Sequence, residues 1–189
     1  MSDATPTRGH RPWANLVLGA LVLALLAYLV VVLVRGAAAL PGTSPAEHAE
    51  DSYGSVRAAT RGAVLAFLHV DYRNMDAVTG TVVHDSTGKF RKQYAATRVN
   101  LKAAAQSARA TSHGRIRYVG VSQLAGDQVG DRATTFVAAD SVVRNKSSKK
   151  AKPTKSCPHQ GAVCRYYRFR IQLTRTDDGW KMSGLDFVS

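Results

Sequence analysis

Acidic residues are scarce in this sequence: 13 Asp and Glu stand against 26 Lys and Arg, giving a formal charge of +13. Such a balance points to anionic partners, namely nucleic acid, lipid headgroups or anionic glycopolymers. Cysteine is rarer still, with Cys157 and Cys164 alone. The six histidines, His10, His48, His69, His84, His113 and His159, are scattered. There is no H-E-x-x-H pair, nucleophile elbow, phosphate loop or Ser/His/Asp order, and no internal repeat. These absences set aside the common metalloprotease, hydrolase and nucleotide-binding chemistries.

Charge is missing altogether from residues 16–34, LVLGALVLALLAYLVVVLV. As a helix this run is about 28 Å long, close to the hydrocarbon thickness of a bilayer. A helix also satisfies its own backbone groups in lipid. The rival reading is a signal peptide, with Ala37-Ala38-Ala39 as its cleavage site. The run is longer than a signal h-region, and Arg35 intervenes, so an uncleaved anchor over 13–35 is expected, with Trp13 at the interface. Arg8 and Arg11 precede the span and Arg35 alone follows closely. That places the N-terminus in the cytoplasm and the rest outside the cell membrane as a single-pass protein. An outside domain makes nucleic acid the least fitting of the anionic partners.

The chain divides accordingly. Residues 1–12 form a polar tail, 36–43 a linker with a Pro-Gly break, and 44–189 one domain. Removing Arg8, Arg11, Arg35 and Asp3 leaves that domain 23 basic and 12 acidic residues.

Ser44, Pro45 and Glu47 form a helix-start signal. The spacing of Val56, Ala63, Phe67 and Val70 predicts a helix to about Arg73. A shorter helix follows over 74–83, capped by Asn74 and ended by Gly80 and the polar run after it. A third covers about 88–109, its apolar face made by Phe90, Tyr94, Leu101, Ala104, Ala105 and Ala108. Lys89, Arg91, Lys92, Arg98 and Lys102 lie mostly off that face.

After Gly114 the period changes to two. Strands are expected over 115–124, with a bulge at Gly120, then over 133–145, 165–175 and 180–188. Asp177-Asp178-Gly179 is a hairpin turn. Helices followed by antiparallel strands make an α+β domain, expected as about three helices packed on a curved four-stranded sheet.

The insert at 146–164 carries Lys146, Lys149, Lys150, Lys152 and Lys155 and has no apolar anchor, so a flexible basic loop is expected. It could touch anionic headgroups, or simply be solvated. Its Cys157 and Cys164 suggest a disulfide in an oxidising compartment. A metal site with His159 is the alternative, although zinc cysteines are usually two to four residues apart with a second pair elsewhere. Asp71-Tyr72-Arg73 is the densest polar cluster. It could supply a general base and a phenol, or form a helix-packing cluster with Arg73 and Asp76 paired at i, i+3.

Three stretches carry a family resemblance: residues 67–76 (FLHVDYRNMD), residues 87–94 (TGKFRKQY), and Trp180, Ser183, Leu185, Phe187 and Val188 near the end. Together with the order of tail, span, long helix and strands, they resemble the actinobacterial Mce-associated membrane proteins, which accompany the mammalian-cell-entry lipid and sterol importers. The resemblance implies a cone-shaped domain similar to nuclear transport factor 2 and the ketosteroid isomerases. It implies a non-enzymatic accessory subunit without cofactor, partnered by importer subunits and the membrane. Asp71, Tyr72, Arg73, Asp76, Phe90, Arg91, Tyr94 and Trp180 would then build the cone and its docking surface. The lysine- and cysteine-bearing insert is not part of that pattern. Two other readings stand beside it: a cone with a pocket for a lipid or sterol-like ligand, enzymatic or not, and a scaffold in a secretion or conjugation apparatus.

Overall fold

A computed structural model describes residues 21–26, 28 and 45–188. The chain divides into two compact units, Met1–His48 and Ala49–Ser189. In the first, residues 21–26 and 28 are helical, and Leu21, Leu23, Leu25 and Tyr28 are exposed. The remainder of the apolar run, its flanking arginines, Trp13, the linker and Ser44 lie outside the described residues. Among the described residues no helix is long and apolar enough to cross a membrane.

The other described elements are α1 (Pro45–Leu68), β1 (Val70–Asp71), α2 (Met75–His84), α3 (Gly88–Ala108), β2 (Thr111–Leu124), β3 (Arg132–Arg144), a 3-10 turn (Ser147–Lys150), β4 (Val163–Thr176) and β5 (Gly179–Phe187). The strands form one antiparallel sheet in the order β1-β2-β3-β4-β5. The α+β class is as expected, but the sheet has five strands rather than four.

The fifth strand comes from the predicted end of the first helix. That helix stops at Leu68, five residues before Arg73. Val70 and Asp71 pair instead with Ser112 and Thr111. Val70 is β-branched and fits a strand. Asp71 then turns the chain: its carboxylate accepts the Arg73 N–H at 3.1 Å, and its carbonyl accepts the Asn74 N–H at 2.9 Å. Asp and Asn favour such turns because their side chains bond nearby backbone.

α1 lies on the inner face of the sheet. Val56, Thr60, Ala63, Val64 and Leu68 are buried at helical spacing. Val56, Ala63, Val64 and Leu68 share one core cluster with Val137, Phe169, Ile171, Leu173 and Met182. The Thr60 hydroxyl donates to the Val56 carbonyl at 2.7 Å and sits 3.3 Å from the Thr135 hydroxyl. That satisfies a polar group which would otherwise be costly to bury. In α2 the buried residues are Met75, Val78, Thr79 and Val82. Gly80 lies inside this helix and does not end it.

The sheet register corrects one further expectation. Gly120 pairs with Phe136, and the irregularities fall between Ile116 and Tyr118 and between Val121 and Gln123. Gly120 answers a different need. A Cβ there would lie 2.8 Å from the Tyr118 hydroxyl and 2.9 Å from its ring. The missing side chain is where the tyrosine lies.

α3 ends on Arg109 in the left-handed region, at φ 50° and ψ 48°. An L-residue there is strained by about 1–2 kcal/mol, and glycine is not. Arg109→Gly is therefore expected to raise stability by up to about 1 kcal/mol, offset in part by the greater freedom of the unfolded chain. A urea midpoint below wild type would refute this.

Candidate functional site

Three hollows mark the domain. One, of about 860 Å³, is lined by residues that include Tyr53, Lys89, Gln123, Arg132, Gln172 and Ser183. No carboxylate, imidazole or thiol is among its lining residues. A second, of about 300 Å³, lies among Leu65, His69, Val78, Thr81 and His113, whose imidazoles are 5.3 Å apart. A third, of about 510 Å³, is lined by Arg117, Ala138, Tyr166, Tyr167, Arg168 and Val188. Among the described residues, no three His, Cys, Asp or Glu side chains gather to hold a metal ion. General acid-base work needs a titratable group facing a bound substrate. The second hollow offers two imidazoles, His69 and His113, and no carboxylate lines any of the three.

Asp71, the candidate base, is used at the turn. Arg73 does not reach Asp76; its guanidinium lies over the Tyr72 ring, 4.6 Å from the centroid. Asp76 is bridged instead to Lys102 across α2 and α3, at 2.6 Å. The hydrogen bond from Lys102, and then its charge, hold the Asp76 carboxyl below the usual range. Beside it Arg98 donates through Nε to the Thr79 hydroxyl at 3.1 Å. On α3, Phe90, Tyr94, Ala105 and Ala108 are partly or fully buried as the sequence predicts, whereas Leu101 and Ala104 are exposed. Arg98 and Lys102 turn towards α2, while Leu101 is 39% exposed. At Leu101 and Ala104 the contact with α2 outweighed apolar spacing, because Asp76 and Thr79 give Lys102 and Arg98 partners.

The remaining motif residues disperse. Phe90 and Tyr94 stack at 5.9 Å, Tyr94 meets Phe67 at 6.3 Å, and Phe67 meets Phe169 edge-on at 6.2 Å. Burial pushes the Tyr94 phenol up. Phe90 is partly buried against the core and Arg91 is exposed. Trp180 is buried on β5 beneath Arg175, 5.9 Å from its ring. The structure thus places these residues in a turn, a helix seam and the core, and does not bring them onto one surface.

A coherent surface lies on the outer face of the sheet. Tyr118, Phe136 and Tyr166 are 64%, 44% and 65% exposed. Tyr118 pairs with Ala138, Gly120 with Phe136, and Phe136 with Arg170. Arg168 and Arg170 are exposed, two and four residues after Tyr166, and alternate with the core-facing Tyr167, Phe169 and Ile171. Arg117, placed by the register shift, donates to Asp140 at 3.2 and 2.7 Å. That pairing raises the arginine further. Arg170 donates to Asp186 at 3.2 and 3.0 Å. The strand alternation places Arg168 and Arg170 on the polar face. Tyr118 and Phe136 become visible as a patch only once register is known.

The insert has anchors that its composition does not announce. Ser148 and Ala162 are buried. The Asn145 side chain accepts from the Ser147 hydroxyl at 2.7 Å and from the Ser148 N–H at 2.9 Å. Ser148 donates to the Gly161 carbonyl at 3.0 Å, and Tyr166 to the Ser156 carbonyl at 2.6 Å. Cys157 and Cys164 are joined in a disulfide, their Cα atoms 5.3 Å apart.

Solved structures of the same fold include an IcmL-like type IV secretion system protein from Legionella pneumophila. It is 10% identical with a TM-score of 0.51, covering 71% of this chain and 91% of that one. The periplasmic domain of DotI is 12% identical with a TM-score of 0.50, covering 71% and 94% respectively. At these identities the likeness is one of fold. No curated protein matches the sequence. A family profile described as uncharacterized protein Rv1363c/MT1408-like matches residues 17–189. The chain therefore belongs to the Rv1363c/MT1408-like family.

Proposed function

We propose that the protein is a non-enzymatic, membrane-anchored accessory subunit that stabilises or assembles an Mce-type lipid or sterol import complex in the cell envelope. The observation that carries the docking role is the outer sheet face. Aromatic residues and arginine are the side chains enriched at protein interfaces, and an exposed group of them marks a contact surface. The motifs that resemble Mce-associated proteins name the complex. The charge-free run at 16–34 names the anchor, and exposed leucines at 21, 23 and 25 suit a helix that meets lipid. A second reading, a scaffold subunit of a secretion apparatus, draws on the shared fold with the IcmL-like and DotI domains.

The test is a deletion strain complemented with variants, scored for importer subunit level and lipid uptake. Deletion is expected to lower both. Asp71→Asn should restore both, because an amide oxygen can still accept the Arg73 N–H. The triple variant Tyr118→Ser, Phe136→Ser, Tyr166→Ser should be present at normal level yet restore neither. Normal importer level and uptake in the deletion strain would show the reading to be wrong.

A further inference from the structure

His69 and His113 meet where α1 gives way to the sheet. Val70 pairs with Ser112, and the Leu68 side chain occupies the space a Cβ on Gly114 would need. The same antiparallel register sets His69 opposite His113, one step from each of these contacts. Both backbones are therefore fixed on either side of the pair. The imidazole centroids are 5.3 Å apart and the rings are tilted by 52°. A zinc ion lies about 2.1 Å from a ligating imidazole nitrogen, hence about 3.2 Å from the ring centroid, so two rings on one tetrahedral ion have centroids about 5.2 Å apart. The spacing of His69 and His113 is that of a shared tetrahedral ion.

The surroundings suit an ion held by these two ligands. Among the described residues no hydrogen bond or ion pair engages either imidazole, so their nitrogens are available. The hollow of about 300 Å³ beside them has room for an ion and its waters. Thr81 lines it, and its hydroxyl donates to the Ala77 carbonyl at 3.1 Å. That leaves the hydroxyl oxygen as an acceptor for a metal-bound water. Leu65, Ala66 and Val78 supply an apolar wall. The chain carries 26 basic residues against 13 acidic, so it offers cations no general attraction, and any binding has to come from specific ligands.

We propose that His69 and His113 bind one zinc ion, with water in its remaining positions. Imidazole suits zinc, copper and nickel, whereas magnesium and calcium take oxygen ligands. The spacing selects zinc among the first three, because a cis pair on a square-planar copper brings ring centroids to about 4.5 Å. A structural zinc site closes with four protein ligands. Here the described residues supply no third, so the ion is exchangeable and the domain folds without it. The ion ties the end of α1 to β2, and an ion that binds only the folded chain stabilises it. The inference holds whichever assembly the domain serves.

The full chain, without a histidine tag and stripped of metal by a chelator, is titrated in neutral detergent micelles with zinc chloride. Calorimetry reads the binding and a urea midpoint reads the stability. One ion should bind per chain and raise the midpoint, and magnesium chloride should do neither. His69→Asn and His113→Asn should each weaken zinc binding about tenfold or more, at least what loss of an outer-shell partner costs. Each should also abolish the zinc-dependent rise while the metal-free midpoint stays at the wild-type value. His84→Asn, at an exposed histidine ending α2, should leave both zinc effects intact. Zinc affinity kept in either pair variant, or an equal loss in His84→Asn, would overturn the site. One ion per two chains would replace it with a site shared between copies, which also overturns the proposal.

Discussion

Phe169→Ala is expected to lower the stability of the domain by about 3 to 5 kcal/mol, the range for truncating a large buried aromatic. The side chain is fully buried on β4, where the inner sheet face meets α1. It packs edge-on to Phe67 at 6.2 Å, is stacked with Tyr167 at 5.4 Å, and touches Phe187 at 5.2 Å. Aromatic pairs of this kind add about 0.5 to 1.5 kcal/mol each beyond the area they bury. Phe67 and Phe187 belong to different elements, so no single neighbour can move in to fill the cavity. A domain with about 5 to 15 kcal/mol of total stability would lose much of it. The urea midpoint should fall with little change in slope. A loss below about 1 kcal/mol would mean that the aromatic cluster is not a stabilising centre.

Gly114→Val is expected to destabilise by about 1 to 3 kcal/mol, although valine is the better strand former. A Cβ at this position would lie 2.7 Å from the Leu68 Cβ and 2.9 Å from its Cδ1. The obstacle includes the rigid stem of the leucine, and the β1 pairing holds the end of α1 against β2. Overpacking of this kind predicts a rescue. Leu68→Gly alone opens a cavity, but combined with Gly114→Val it removes both the 2.7 Å and the 2.9 Å contacts and makes room for the new side chain. The double variant should be more stable than the sum of the two single losses implies, with a coupling of about 0.5 to 3 kcal/mol measured by a double-mutant cycle. Simple additivity would place the cause elsewhere.

The strands were legible in the sequence because alternation is a local signal. Tyr167, Phe169, Ile171 and Leu173 share a face on any register, and the Asp177-Asp178-Gly179 turn marks where the chain doubles back. The helix stripe of Val56, Ala63 and Phe67 was legible for the same reason. The end of α1 was not. What stops it at Leu68 is pairing with Thr111 and Ser112, forty residues on, which helical spacing cannot register. Leu101 was misplaced because apolar spacing says which residues share a face but not which face meets the neighbour; Asp76 and Thr79 decided that for α3. The outer aromatic patch needed the β2–β3–β4 register, since Tyr118, Phe136 and Tyr166 come from three strands. The insert looked unanchored because its anchors are a serine and an alanine, residues that carry no apolar signal of their own.

In this sheet each strand hydrogen-bonds to the strands nearest it in sequence. From β2 onward such pairings bridge a single loop and form early, since ring closure grows costlier with separation, whereas β1 reaches β2 across α2 and α3. α1 is the larger exception. Its buried face is satisfied by Phe169, Ile171, Leu173 and Met182, the last part of the domain to leave the ribosome. During synthesis the helix must wait with Val56, Val64 and Leu68 uncovered until β4 and β5 emerge. A nascent chain stalled before β4 should therefore expose an unprotected apolar helix, and would be the form on which chaperones and proteases act.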